Sequence, residues 1–363
     1  MPVLSYCTNV HPAEDLDGVC AQLARYAGPV RAALGEQEIG AGLWLAADLA
    51  ARLVAVPAAL HRLKSEVADR GLRVVTLNAF PHHGFHDPVV KHRVYRPSWA
   101  DPERLRYTLD CAEVLAALLP DGGSGSISTL PLGWREPWGA AEEGVARRRF
   151  DELAAGLRAL EERTGKRIRV GIEPEPGCLL DTAADAVAWL RGCDPSYLGL
   201  CLDTCHLAVS FADPVGTVRE IRAAGLEVVK VQASAALHVD DPVAARAELA
   251  RYAEPRYLHQ VRERAPEGVR ACDDLPEAWD ELPGGGPWRV HFHVPLHWRA
   301  TGALRPTTDV LRAALGALPD PLPPIEVETY TWSVLPDPPD DLVDGIAAEL
   351  AFTRELLDAR ELP

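Results

Sequence analysis

The sequence predicts an α/β protein built as one (β/α)8 barrel, and three observations carry that prediction. Short apolar runs rich in Val, Ile and Leu alternate with helical stretches along all 363 residues, the pattern of βαβ units in a parallel sheet. The runs are almost wholly apolar, as strands covered on both faces must be. Their starts lie about 30–55 residues apart, a spacing that suits eight units closed into a barrel.

The elements follow in order. Strand Leu4–Asn9 precedes helix Leu16–Ala33, Ile39–Leu45 precedes Ala47–Arg70, and Leu72–Asn78 precedes Pro102–Leu119. Ser126–Leu130 then leads to helix Gly144–Thr164, and Arg169–Ile172 to Thr182–Arg191. Leu198–Leu202, Val228–Val231, Arg289–Val294 and Ile325–Glu328 complete nine runs for eight places, so one lies outside the barrel. The stretch from Ala233 to Pro287 exceeds one unit. It holds an expected helix over Pro242–Tyr252, a further piece around Tyr257–Arg264, and the breaker Gly284-Gly285-Gly286-Pro287. We therefore expect 233–287 to be an insertion after strand seven, a lid or partner surface over one mouth. His291–Val294 would follow it as an extra strand or extended loop. No linker divides the chain, so residues 1–363 read as a single domain.

Composition narrows the function. Fifty-three acids against thirty-seven bases give a net charge of −16, a poor match to nucleic-acid phosphates or an anionic membrane surface. No run reaches the ~20 apolar residues of a membrane span, and the N-terminus has no basic segment leading into an apolar one. Eight dispersed cysteines form no CxxC pair, which points to reduced thiols and a cytoplasmic location. Neither a nucleic-acid partner nor direct membrane insertion is expected. Pathway protein partners and a homo-oligomer stay open.

Chemistry-bearing residues gather where strands run out, the active end of such barrels. Strand five ends in Glu173-Pro174-Glu175 and strand six in Asp203-Thr204-Cys205-His206. The last strand ends in Glu326-Val327-Glu328, and His291-Phe292-His293 comes before it. Side chains two apart share a face of an extended strand. Carboxylates at a barrel mouth are costly unless paired or bound to a cation, so several delivered to one end imply a common positive charge. Oxygen-rich sets with one or two imidazoles suit Mn, Zn, Co, Mg or Fe without choosing among them. The loop Asn78-Ala79-Phe80-Pro81-His82-His83-Gly84-Phe85-His86 and the segment Leu130-Pro131-Leu132-Gly133-Trp134-Arg135 offer His83, His86 and Arg135 to substrate. Glu175 and His291 join them as substrate-binding candidates.

These strand-end motifs resemble the xylose isomerase-like TIM-barrel superfamily of sugar isomerases, sugar epimerases and the endonuclease IV branch. The string Leu202-Asp203-Thr204-Cys205-His206 is the most specific match. The resemblance implies a metal held by Glu173, Asp203 and Glu328, with Gln232 where the superfamily places a strand-seven histidine, and with His293. His291-Phe292-His293 looks like the Asp-x-His element of the endonuclease IV branch with its Asp replaced, so the trinuclear zinc set of that branch is incomplete, which with the acidic charge argues against DNA repair. At finer grain, the Asn-x-Phe-Pro loop, Leu130–Trp134 and Glu326–Trp332 are similar to the EboE group of metabolite-traffic proteins. The implied reaction is metal-dependent isomerisation or epimerisation of a sugar, sugar phosphate or cyclitol-like metabolite through an enediolate. Glu173 and Glu328 would exchange the proton and His206 would orient a hydroxyl. A non-catalytic carrier for such a metabolite is the alternative, and a metal-dependent hydrolase the third reading.

Overall fold

The computed structural model describes residues 2–300 and 302–361. Met1, Thr301, Leu362 and Pro363, which the 1–363 domain assignment includes, lie outside the described residues.

Eight parallel strands close on themselves. β1 (Leu4–Cys7) pairs with β2 (Ile39–Trp44), and β3 (Leu72–Arg73) is a short lead-in beside β2 before β4 (Thr76–Ala79). β5 (Ser124–Thr129), β6 (Arg167–Ile172), β7 (Leu198–Asp203) and β8 (Val228–Ala233) follow side by side. Four short strands then leave the barrel: β9 (Leu237–Val239), β10 (Val261–Ala265), β11 (Gly268–Cys272) and β12 (Trp288–Val290). β13 (Leu304–Pro306) joins them in an antiparallel sheet of order β11-β10-β12-β9-β13. β14 (Ile325–Val327) lies between β8 and β1 and shuts the ring. The predicted (β/α)8 barrel is the observed one. Of the nine apolar runs, Arg289–Val294 is the one outside it: Trp288–Val290 pairs in the small sheet, and His291–Val294 is extended loop.

Helices cover the outside. Residues 16–33 are helical as α1 (Leu16–Gln22), a π-helical turn Leu23–Ala27 and α2 (Gly28–Ala33). Pro29 has no N–H for an i−4 partner, and a wider turn at that point accommodates the loss. The helix expected over Ala47–Arg70 is instead two, α3 (Ala47–Ala55) and α4 (Pro57–Asp69). Pro57 forces Val56 out of the helical region, to φ −122 and ψ 96. Then come α5 (Pro102–Leu118), α6 (Ala140–Thr164), α7 (Ala183–Leu190), α8 (Thr204–Val209) and α9 (Pro214–Ala223). The stretch expected as helix Pro242–Tyr252 holds only α10 (Arg246–Leu249) and a 3-10 turn. The piece near Tyr257–Arg264 becomes β10. α11 (Leu275–Glu281), α12 (Thr308–Ala317) and α13 (Leu342–Glu361) end the list. Among the described residues no helix is long and apolar enough to cross a membrane.

The antiparallel sheet runs from Leu237 to Pro306 and so passes Pro287, the end of the expected insertion. It is tied to the barrel mouth from above. Arg256 O accepts from Val90 N at 2.7 Å and Lys91 N at 2.9 Å, and Tyr257 Oη donates to Phe85 O at 3.2 Å.

Candidate metal centre

Barrel register brings distant residues to one point. Glu173 follows the last residue of β6, Asp203 ends β7, and Glu328 follows β14. All three are buried, and a carboxylate oxygen from each lies within 4.8 Å of the others. Asp203 also caps α8: its Oδ1 accepts from His206 N at 2.9 Å and from Ser234 Oγ at 2.8 Å. Glu328 Oε1 accepts from Asn9 Nδ2 at 2.7 Å and Asn78 Nδ2 at 2.9 Å. The rest of the set is uncompensated. Among the described residues Glu173 Oε2, Asp203 Oδ2 and both polar atoms of Gln232 are buried with no hydrogen-bond partner.

Beside the carboxylates stand three imidazoles. His206 Nδ1 donates to Pro174 O at 2.8 Å, His293 Nδ1 to Glu328 O at 2.7 Å, and His291 Nδ1 to Gln260 Oε1 at 2.6 Å. Gln260 is fixed in that orientation because its Nε2 donates to Pro176 O and to Tyr95 Oη. Each acceptor leaves Nε2 as the free nitrogen of its ring. The Nε2 of His291 is 3.1 Å from that of His206 and 3.3 Å from that of His293. Bare nitrogens at that separation repel unless a proton or a cation lies between them.

The titration behaviour follows the same logic. Burial first, then the neighbouring charge of Asp203, pushes Glu173 upward to about 8. Burial and the Glu173 carboxylate push Glu328 well upward too. Burial opposes ionised Asp203, but His206 and His293 beside it hold it below its ordinary value. Burial lowers His293 to about 4 and holds His291 well below its ordinary value, whereas Asp203, Glu175 and Glu173 overcome burial at His206 and raise it. The protein alone thus stores protons where a divalent cation would replace them. The donor set fits one: carboxylate oxygens with an amide oxygen on one side, imidazole nitrogens on the other.

The centre floors a cavity beneath the loops of the barrel mouth. The family model for the xylose isomerase-like TIM barrel matches residues 40–261. The chain belongs to that family. No curated protein matches the sequence closely. Three solved structures show the shared barrel. A xylose isomerase-like TIM barrel protein from Mycobacterium smegmatis in complex with magnesium aligns over 99% of this chain and 98% of its own, with TM-score 0.57 and 14% identity. The IolI protein with a bound zinc atom aligns over 99% of both chains, with TM-score 0.53 and 13% identity. D-allulose 3-epimerase from Methylomonas sp. in complex with D-allulose aligns over 98% and 97%, again with TM-score 0.53 and 13% identity.

Within this xylose isomerase-like barrel the expected residues divide. Glu173, Asp203 and Glu328 meet at the floor, joined by His206, His291 and His293. Gln232, in register with Asp203 and Glu326, is fully buried. Glu175 lines the cavity, where burial raises it to about 7 and Tyr95 Oη donates to it at 2.7 Å. His291 lines it too, but the remaining substrate candidates, His83, His86 and Arg135, do not. His83 is exposed. His86 is half-buried and donates to Asn9 O at 2.7 Å, which steadies the asparagine that holds Glu328. Arg135 stacks over Trp134, donates to Gly177 O and pairs with Asp273 at 2.5 Å, fastening the β5 loop to the small sheet. Sequence reasoning passed over Asn9, Tyr95, Gln260 and Tyr330. Asn9 obeys the same strand-end rule as the carboxylates and was within reach of it. Gln260 carries no local signal, because only the fold brings it beside His291.

Proposed function

We propose that this protein is a metal-dependent isomerase or epimerase of a polyol or sugar-type hydroxy-carbonyl metabolite. The observation that carries the reading is the convergence of unpartnered carboxylate oxygens and bare imidazole nitrogens beneath one cavity. Glu173, Asp203 and Glu328 with Gln232 would form the oxygen side of the cation site, and His206, His291 and His293 the nitrogen side. When bound, the cation supplies Lewis acidity, which weakens a C–H bond next to a coordinated carbonyl.

The protein's own groups do the rest. Glu173 Oε2, unpartnered at the floor, accepts the proton from one carbon; Glu328 beside it, held by Asn9 and Asn78, returns one. Glu175 and Tyr95 orient a hydroxyl, and the loops over the mouth exclude water. Relatives of the same barrel include a D-allulose 3-epimerase and a 3-keto-D-glucoside 4-epimerase, and this chain shares their general class of chemistry. The motif likeness to the EboE group favours a place for the reaction in a metabolite biosynthesis or traffic pathway. Gln232 supports a second reading, because an amide binds a transition metal more weakly than imidazole: a carrier that holds the metabolite without converting it.

Metal analysis of chelator-free protein with the Glu173→Gln, Asp203→Asn and Glu328→Gln variants tests the site. About one divalent ion per chain or more, lost in each variant, is expected. Deuterium exchange from solvent into a ketose or cyclitol then separates enzyme from carrier. A protein that takes up no Mn, Co or Zn overturns the isomerase reading and leaves the carrier in its place.

A further inference from the structure

The cavity above the metal centre is divided by polarity. Its floor carries Glu173, Glu175, Glu328 and the three imidazoles, whereas its upper wall is built of Phe80, Phe85, Val94, Tyr257, Leu258 and Tyr330. Phe85, Tyr257 and Tyr330 come from three different loops and meet as a cluster, with ring centroids 4.9–5.3 Å apart. The polar atoms of this wall are already engaged. Tyr95 Oη donates to Glu175 and accepts from Gln260, and Tyr257 Oη donates to Phe85 O. Only the Tyr330 hydroxyl lacks a partner among the described residues. The lining holds one lysine or arginine, Lys91, and its ammonium is paired with Asp274.

Two ligand classes fit this wall badly. A phosphate would meet no free lysine or arginine and would stand above three carboxylates. A free hexose would bury several hydroxyls against aromatic faces with nothing to bond them. An apolar group would fill the same space and bury its surface.

We infer that the ligand is an uncharged hydroxy-carbonyl compound whose adjacent oxygens reach the floor and whose remainder is an apolar, aromatic or branched aliphatic substituent packed on the upper wall. This rests on the metal-dependent reading above and narrows its substrate.

The test is calorimetric titration of the metal-loaded protein with three probes: 2-hydroxyacetophenone, D-fructose and D-fructose 6-phosphate. The expected result is that 2-hydroxyacetophenone binds at least tenfold more tightly than either sugar. Phe85→Ala and, independently, Leu258→Asn should cut that preference at least fivefold while metal content is unchanged. Equal or tighter binding of fructose or its phosphate overturns the inference, as does failure of the aryl ketone to bind. Metal content measured on the same samples separates the two claims. A protein that holds metal but prefers a sugar refutes only the apolar substituent, whereas one that holds none refutes the metal site beneath it.

Discussion

Lys230 and Glu326 face each other inside the barrel, both wholly buried, with Nζ 2.6 Å from Oε2. The ammonium is also 3.1 Å from Ser128 Oγ and 3.3 Å from Leu77 O. Burial pulls Lys230 down, but Glu326 outweighs it and keeps the lysine above its ordinary value. Gly42 makes room for this pair: a Cβ there would fall on Glu326 Oε1. Removing one partner strands a buried charge. Lys230→Met is therefore expected to destabilise by about 3–5 kcal/mol in urea unfolding, and Lys230→Met with Glu326→Leu to recover most of that loss. Gly42→Ala should cost a similar amount by evicting Glu326; a change below about 1 kcal/mol would show that the pair bears no strain from its neighbours. In the sequence, alternation correctly placed Glu326 and Glu328 on one side of the strand. That rule speaks of faces and not of depth, so it could not tell that Glu326 lies one layer below the cavity and meets a lysine.

At the scale of elements, α13 is fastened by one carboxylate. Glu349 Oε1 accepts from Thr329 Oγ1 at 2.7 Å and from Leu296 N at 2.9 Å. Burial raises Glu349 to about 7 despite those donors. In the unfolded chain a glutamate ionises near 4.5, the reference value for this group. Below that pH both states are protonated and the residue costs nothing. Between about 4.5 and 7 the unfolded chain sheds its proton first, so stability falls as pH rises; above 7 the cost levels at about 3 kcal/mol. Glu349→Gln keeps the accepting oxygen and removes the charge. It should leave the melting temperature nearly unchanged at pH 4.5 and raise it at pH 8, and a variant less stable at pH 8 would refute the assignment. The elements themselves were unevenly legible. Barrel strands announce themselves as apolar runs because both faces are covered. β10 and β11 do not: Val261–Ala265 and Gly268–Cys272 carry Arg262, Glu263, Arg264 and Arg270; Arg264 is exposed, whereas Arg262 and Glu263 are buried against partners, Asp181 and the Trp288 indole N–H, that only the fold supplies. Three-residue strands such as β9 and β13 are too short to show a period at all.

The whole molecule couples the site to the fold. The candidate ligands come from β6, β7, β8, the loop after β12 and the end of β14, so a bound ion would tie together half of the ring. An ion present at a hundred times its dissociation constant is worth about 2.7 kcal/mol of stability. Added Zn or Mn should raise the melting temperature by several degrees, chelator should reverse this, and Asp203→Asn should abolish the response; an equal rise in that variant would place the ion elsewhere. What the sequence could reveal at this scale was the order of motifs. It could not reveal which of them touch, because the meeting of His206 with His291 depends on a sheet inserted between them.

Closure has one more consequence, and it concerns the chain while it is being made. β1 lies between β2 and β14, and Ser5 Oγ donates to Ile325 O across 320 positions of sequence. A ribosome adding about 5–20 residues per second therefore finishes Asn9 many seconds before Glu328 exists. Until then the sheet has two raw edges, one of them β1, made long before its second partner, and the floor lacks its last carboxylate. A nascent chain stalled anywhere before β14 would be an open ribbon in need of shielding. The three-carboxylate floor is complete only when the last turn of the ring has formed.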